Sequence, residues 1–181
     1  MPISSPTPRP LRPTSGHQAG FTLIELLVVL ALSGVLAAMA VPMLGTTMAD
    51  FRLSGDARGL HSALSAAKMR AASAFSQSRL YFDLDGGSYH VETLSKDATP
   101  SWVNEGGINY LSTGVAPGFG AIGTPPANTQ NVIAQAPPCV NAAGVAIGNT
   151  ACVVFNSRGI PVDATGAPTA NDAVYVLSLI H

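Results

Sequence analysis

The chain has 181 residues, enough for one ordinary domain and a further segment, and its net charge of −1 favours no class of partner by itself. The distribution of charge says more: from Gln77 onward three bases stand against seven acids, a net of −4, which argues against a nucleic-acid binder. Hydrophobic residues make up 47% and charged residues 10%, but much of the apolar excess lies in one stretch near the N-terminus.

Residues 1–20, MPISSPTPRPLRPTSGHQAG, are rich in Pro and Ser, lack apolar periodicity and read as a disordered leader. They carry Arg9 and Arg12 and no acid, so the positive-inside rule keeps this end in the cytoplasm and sends the C-terminal bulk across. Residues 21–44 follow, an apolar run in which Glu25 is the only charged residue. At about 1.5 Å per residue a helix of this length covers roughly 36 Å, enough for a bilayer core of about 30 Å. A carboxylate inside such a run costs on the order of 2.5–3.5 kcal/mol at mid-bilayer and usually has a function there. The plainer alternative is a carboxylate that reaches the interface near the helix start. Pro42 cannot donate to the carbonyl of Ala38 and crowds it, so either the helix kinks there or it breaks where the chain leaves the bilayer.

The stretch GFTLIELLVVLALSGVLAAMAVP resembles the N-terminal signature of type IV pilins and type II secretion pseudopilins. The resemblance implies that a prepilin peptidase cuts between Gly20 and Phe21 and that the new N-terminal Phe21 is N-methylated. It also implies that Glu25, fifth in the mature chain, pairs with the N-terminal amine of a neighbouring subunit. Two opposite charges in a low dielectric lower each other's desolvation cost, and only a correctly staggered neighbour supplies the second one. An ordinary secretory signal has its apolar region before the cleavage site. Here it follows, so the segment is expected to stay in the membrane after processing.

Residues 45–76 place Leu53, Ala57, Leu60, Leu64, Ala67, Ala71 and Ala74 at alternating steps of 4 and 3, one apolar stripe on a helix continuous with the anchor. Gly55 and Gly59 each cost that helix about 1 kcal/mol relative to Ala, which packing must offset. Residues 77–181 then form the head. RLYFDL at 79–84 and YHVETL at 89–94 read as two strands joined by a turn at Asp85-Gly86-Gly87-Ser88. Further strands are expected at 108–112, 152–156, 160–162 and 173–180, with a loop insertion at about 113–130. One long helix followed by antiparallel strands gives an α+β, pilin-like fold: a transmembrane half and an amphipathic half of one helix, the latter packed on a β-sheet head. The stretches AAKMRAASAFSQSRLYFDL and FNSRGIPVD resemble the H-type (GspH/FimT) minor pseudopilins.

Cys139 and Cys152 fit neither a CxxC redox pair nor a zinc pattern. In an oxidising periplasm they would form a disulfide; otherwise they are two buried thiols. Asp83 and Asp85 beside glycines raise a calcium loop, but two carboxylates fall short of the usual six to eight oxygens, and a solvated turn is the simpler reading. His61 and His90 form no metal pattern. No G-x-S-x-G elbow or P-loop stands out, so neither enzymatic activity, a metal nor a cofactor is expected. Trp102 and Tyr110 are either partner contacts or covers for the core. The family resemblance implies a minor pseudopilin of a type II secretion pseudopilus, single-pass in the bacterial inner membrane with a periplasmic head. Its expected partners are the prepilin peptidase and other pseudopilins, met through the N-terminal helix, with nucleic acid not expected. The alternative is a minor type IV pilin for pilus initiation or DNA uptake.

Overall fold

The computed structural model describes residues 20–169 and 172–179 apart from 126, 128, 129 and 131, and within the first helix the side chains of 41–44 and 46 are not described. Most of the leader 1–20 and the last residue, 180, of the expected final strand thus lie outside the described residues. Among the described residues, one α-helix, α1 (Leu23–Ala74), is followed by eight short strands. They are β1 (Ser78–Asp83), β2 (Ser88–Leu94), β3 (Trp102–Asn104), β4 (Asn109–Tyr110), β5 (Val115–Pro117), β6 (Thr150–Phe155), β7 (Pro161–Val162) and β8 (Val176–Ser178). The order is that of an α+β fold: an N-terminal apolar helix, then an antiparallel sheet. The chain divides into two compact units, with the boundary in sequence after Val41. The kink expected at Pro42 concerns a side chain outside the described ones.

Within the second unit the main sheet runs β3-β2-β1-β6-β7, with β4 also paired to β2. All of its pairings are antiparallel. Leu80 lies opposite Val91 on one side and Val153 on the other, and Phe82 opposite Tyr89 and Ala151. Because side chains alternate along a strand, these residues share one face. That face packs on Leu60, Ala67 and Ala71 of α1 to make the core. Ala67 and Ala71 are fully buried, and their small side chains let the helix backbone lie close to the sheet.

The apolar stripe departs from its expected membership at Ala57, which is exposed. Asp56 is half-buried beside it, its carboxylate accepting from the backbone N–H and the hydroxyl of Ser112 at 2.8 and 3.0 Å. A polar tie to the head replaces an apolar contact on that turn. The two glycines divide as well. A Cβ on Gly59 would lie 2.5 Å from the Tyr89 hydroxyl, whereas one on Gly55 would meet nothing within 4 Å. Tyr89 is buried and set edge-on to Phe82, with ring centroids 6.4 Å apart, so its ring has little room to retreat. Gly55→Ala is therefore expected to stabilise the fold by about 1 kcal/mol. Gly59→Ala is expected to destabilise it by about 1–2 kcal/mol, overpacking outweighing the gain in helix propensity. Thermal unfolding of the two variants in parallel checks the opposite signs.

The helix stops at Ala74 rather than 76, and Phe75 takes the left-handed conformation with φ 50°. The Ser76 N–H reaches back to the Ala71 carbonyl at 3.2 Å, closing the end as a glycine would. A non-glycine residue there costs roughly 1–2 kcal/mol.

Three expectations for the strands are corrected. The third strand is preceded by β3 at Trp102–Asn104 and itself shortens to Asn109–Tyr110. The span 113–130 is not all loop, because it contains β5. The final strand narrows to Val176–Ser178 and pairs with β5 in a separate two-stranded sheet. Such short segments show no alternation of their own, and their partners lie far away in sequence.

Candidate assembly segment

The first unit is built around the start of α1. Thr22 caps the helix: its hydroxyl accepts from the Glu25 N–H at 3.3 Å and its carbonyl from the Leu26 N–H at 3.1 Å. The pattern Thr-x-x-Glu is that of a capping box, and it places Glu25 in the first turn, where the partial positive charge of the helix end favours a carboxylate. The Thr22-x-x-Glu25 spacing is the sequence signal for this cap. Among the described residues the Glu25 side chain is exposed and takes no ion pair.

From Leu23 to Ala40 the helix has a mean hydropathy of 2.5 and none of it is buried. Eighteen residues rise about 27 Å, close to a bilayer core of about 30 Å. A helix apolar on every side needs a non-aqueous surrounding, either lipid or other apolar helices. The one hydroxyl in this stretch is satisfied locally, Ser33 donating to the Val29 carbonyl at 2.7 Å. Gly20 and Phe21 lie just outside the helix and are exposed, so the bond between them is in non-helical, accessible chain.

The family described as the prokaryotic N-terminal methylation motif matches residues 15–41. The N-terminal motif is prepilin-type. The prepilin-type motif supports a type IV pilin-like or pseudopilin subunit, and with the apolar helix it fits anchoring in a membrane. Comparison with the curated proteins and with the solved structures gives no match.

The other candidate residues lie in the head, away from this segment in sequence. Cys139 and Cys152 are joined by a disulfide. Cys152 belongs to β6, and its N–H donates to the Pro137 carbonyl at 2.8 Å, while the Cys139 N–H donates to the Thr150 hydroxyl at 3.0 Å. The bridge thus fastens residues 137–140 to β6, beside the stretch of its edge that β7 leaves unpaired. Replacing both cysteines by Ser is expected to cost about 3 kcal/mol, read from the shift in urea midpoint.

Asp83 and Asp85 are engaged in the turn: Asp83 accepts from the Asp85 N–H at 3.0 Å, and Asp85 from the Asn149 side-chain amide at 2.8 Å. Among the described residues no group of three or more His, Cys, Asp or Glu could hold a metal. His61 is exposed, and His90 meets Glu92 at 3.1 Å.

Sequence reasoning missed the outer face of the sheet. Arg79 is 2% exposed, with its Nε donating to Glu92 at 2.6 Å and a terminal nitrogen to the Val140 carbonyl. Its guanidinium lies 3.9 Å from the centroid of the Trp102 ring, and the Tyr81 and His90 rings stack alongside at 4.9 Å. Burial lowers the Arg79 pKa and Glu92 opposes that, leaving a guanidinium that stays charged. Trp102 is therefore a cover for a buried cation, whereas Tyr110 is 70% exposed. The signal was in the hairpin register, which sets Arg79 directly opposite Glu92.

Proposed function

We propose that this chain is a minor pseudopilin, a structural subunit of a type II secretion pseudopilus that serves protein export across the outer membrane. The observation that carries the reading is the wholly exposed apolar helix Leu23–Ala40, which begins directly after an accessible Gly20-Phe21 bond and bears one carboxylate in its first turn. In this reading the peptidase frees Phe21, the N-terminus is methylated, and the helix holds the subunit in the inner membrane with the head in the periplasm. Neighbouring subunits then take up the helix into a filament core, each presenting an amine to a Glu25 carboxylate. The protein acts by assembling and transmitting force, without catalysis of its own. The H-type assignment rests on the resemblance of AAKMRAASAFSQSRLYFDL and FNSRGIPVD, and the acidic balance after Gln77 favours secretion over DNA uptake.

Two measurements test this. Mass spectrometry of the membrane form should give a chain that starts at Phe21 and carries one added methyl group. Retention of residues 1–20 in an assembled filament would count against it. Deleting the gene should keep exported proteins inside the outer membrane while surface pili persist. Loss of pili with normal export would favour the minor type IV pilin instead.

A further inference from the structure

A groove of about 340 Å³ lies between α1 and the edge of the main sheet that carries β4. Gly59, Ser62 and Ala66 form its helix wall, Gly107 and Asn109 stand on the sheet side, and Tyr89 of β2 also lines it. Tyr89 is only 7% exposed, yet among the described residues its hydroxyl takes part in no hydrogen bond. No buried side chain among these residues holds a polar atom that is both sealed from solvent and unpartnered, so this hydroxyl opens into the groove. Gly59 keeps it reachable, because a Cβ there would stand 2.5 Å from the oxygen and cover it. Burial raises the Tyr89 pKa and Asp56 adds to that, so the group stays a neutral donor in want of an acceptor.

Small residues on a helix face are ordinary packing; the unpaired hydroxyl is what marks this groove as a binding surface. Its rim supplies both halves of a hydrogen bond. The side chains of Ser62 and Asn109 take no hydrogen bond among the described residues, and Glu105 gives one oxygen to Arg70 at 3.3 Å and keeps the other toward the groove side of that pair. The flanking charges sum to zero, Asp56 and Glu105 against Arg58 and Arg70, so neither an anion nor a cation is favoured. A nucleobase would need an open aromatic face to stack on, and a ring as buried as that of Tyr89 offers none. From Gly59 to Ala66 the helix rises about 10 Å, the length of about three residues of extended chain. Extended main chain also brings an N–H donor and a carbonyl acceptor in every peptide unit, without charge.

We infer that this groove holds an uncharged, extended stretch of about three residues from a partner protein, one of whose carbonyls accepts from the Tyr89 hydroxyl. Glu105 and Asn109 take the N–H groups of the same stretch, and the side chain that Gly59 lacks leaves its main chain room to approach. The inference goes beyond the proposed function and does not rest on it, because the groove belongs to the head whichever machine carries the subunit.

The test pans displayed random heptapeptides, free of Asp, Glu, Lys and Arg, on the full-length protein in detergent micelles. Peptides should be enriched, and synthetic blocked copies should bind at least tenfold more weakly to Tyr89→Phe and not at all to Ser62→Trp, which plugs the groove. The melting temperature of Tyr89→Phe should be unchanged or raised, since its hydroxyl has no partner to lose; a hydroxyl with a folding role would lower it. Should Ser62→Trp fail to fold, the Tyr89→Phe comparison decides alone. In the native membrane, a benzoylphenylalanine at Asn109 should link to an uncharged stretch of another protein, the link falling at least tenfold with Tyr89→Phe, while the same probe at exposed His61 gives no such link. Peptides that bind Tyr89→Phe as well as the parent, or no enrichment at all, overturn the inference and leave solvent as the only occupant. Chitotriose, an uncharged sugar, raising the melting temperature of the parent but not of Tyr89→Phe, with no peptide enriched, overturns the peptide class. Links from Asn109 only to a second copy of this chain overturn the partner protein as the occupant. None of these failures touches the processing and export measurements that test the proposed function.

Discussion

Glu25→Leu or Glu25→Ala in the full-length protein is expected to lower incorporation into filaments at least tenfold while leaving membrane insertion intact. The Glu25 carboxylate sits in the first turn of a helix that is apolar on all sides, and among the described residues nothing in its own chain pairs with it. In lipid it carries a cost of about 2.5–3.5 kcal/mol at depth, less near the interface. A neighbouring subunit that brings a cation to this point removes that cost, and a loss of only about 1.4 kcal/mol already makes the tenfold difference. Leu and Ala remove both the cost and the reward, so the variants remain comfortable in the membrane and lose the reason to leave it. Glu25→Asp should retain most of the effect. The measurement is the ratio of filament to membrane protein in sheared fractions, with equal total protein. If Glu25→Ala assembles as well as the parent, the carboxylate is only a helix cap that tolerates the interface.

Arg79→Ala is expected to destabilise the head by about 3–5 kcal/mol, the usual consequence of removing one partner of a buried ion pair. Glu92 would keep His90 at 3.1 Å but lose the 2.6 Å contact with Arg79. The Val140 carbonyl would lose its donor and the ring of Trp102 its cation. A paired change, Arg79→Met with Glu92→Gln, should cost clearly less, because it removes both charges and keeps the volume. Trp102 is the only tryptophan, so its fluorescence reports directly on this layer during urea unfolding of the full-length protein. Equal losses for the single and the paired variant would show that packing, not the uncompensated charge, sets the effect.

The sequence made the helix-then-sheet architecture legible because two long periodic patterns carry it. The apolar run after Gly20 and the stripe through Leu60, Leu64, Ala67 and Ala71 share one chain direction, and the hairpin of β1 and β2 follows with a clear period of 2. The strands β3 and β5 were not legible in this way, and the final strand β8 was legible in its place but not in its length or its partner. Each has three residues, too few for alternation to show, and β5 finds its partner only near the end of the chain. Arg79 was hidden for a different reason. Alternation correctly puts it opposite the face of Leu80 and Phe82, which normally means solvent. That face is covered instead by residues 137–140, drawn over β6 by a disulfide whose partners are far from Arg79 in sequence. Exposure follows from what folds over a face, and alternation along a strand does not report it.

The position of Thr22 has one more consequence. The helix takes its starting hydroxyl and its first carbonyl from a residue on the C-terminal side of the Gly20-Phe21 bond. Severing that bond therefore removes nothing that the first turn depends on. In the proposed maturation the rod would need no rewinding, and the new amine would stand on Phe21, one step ahead of an already closed turn.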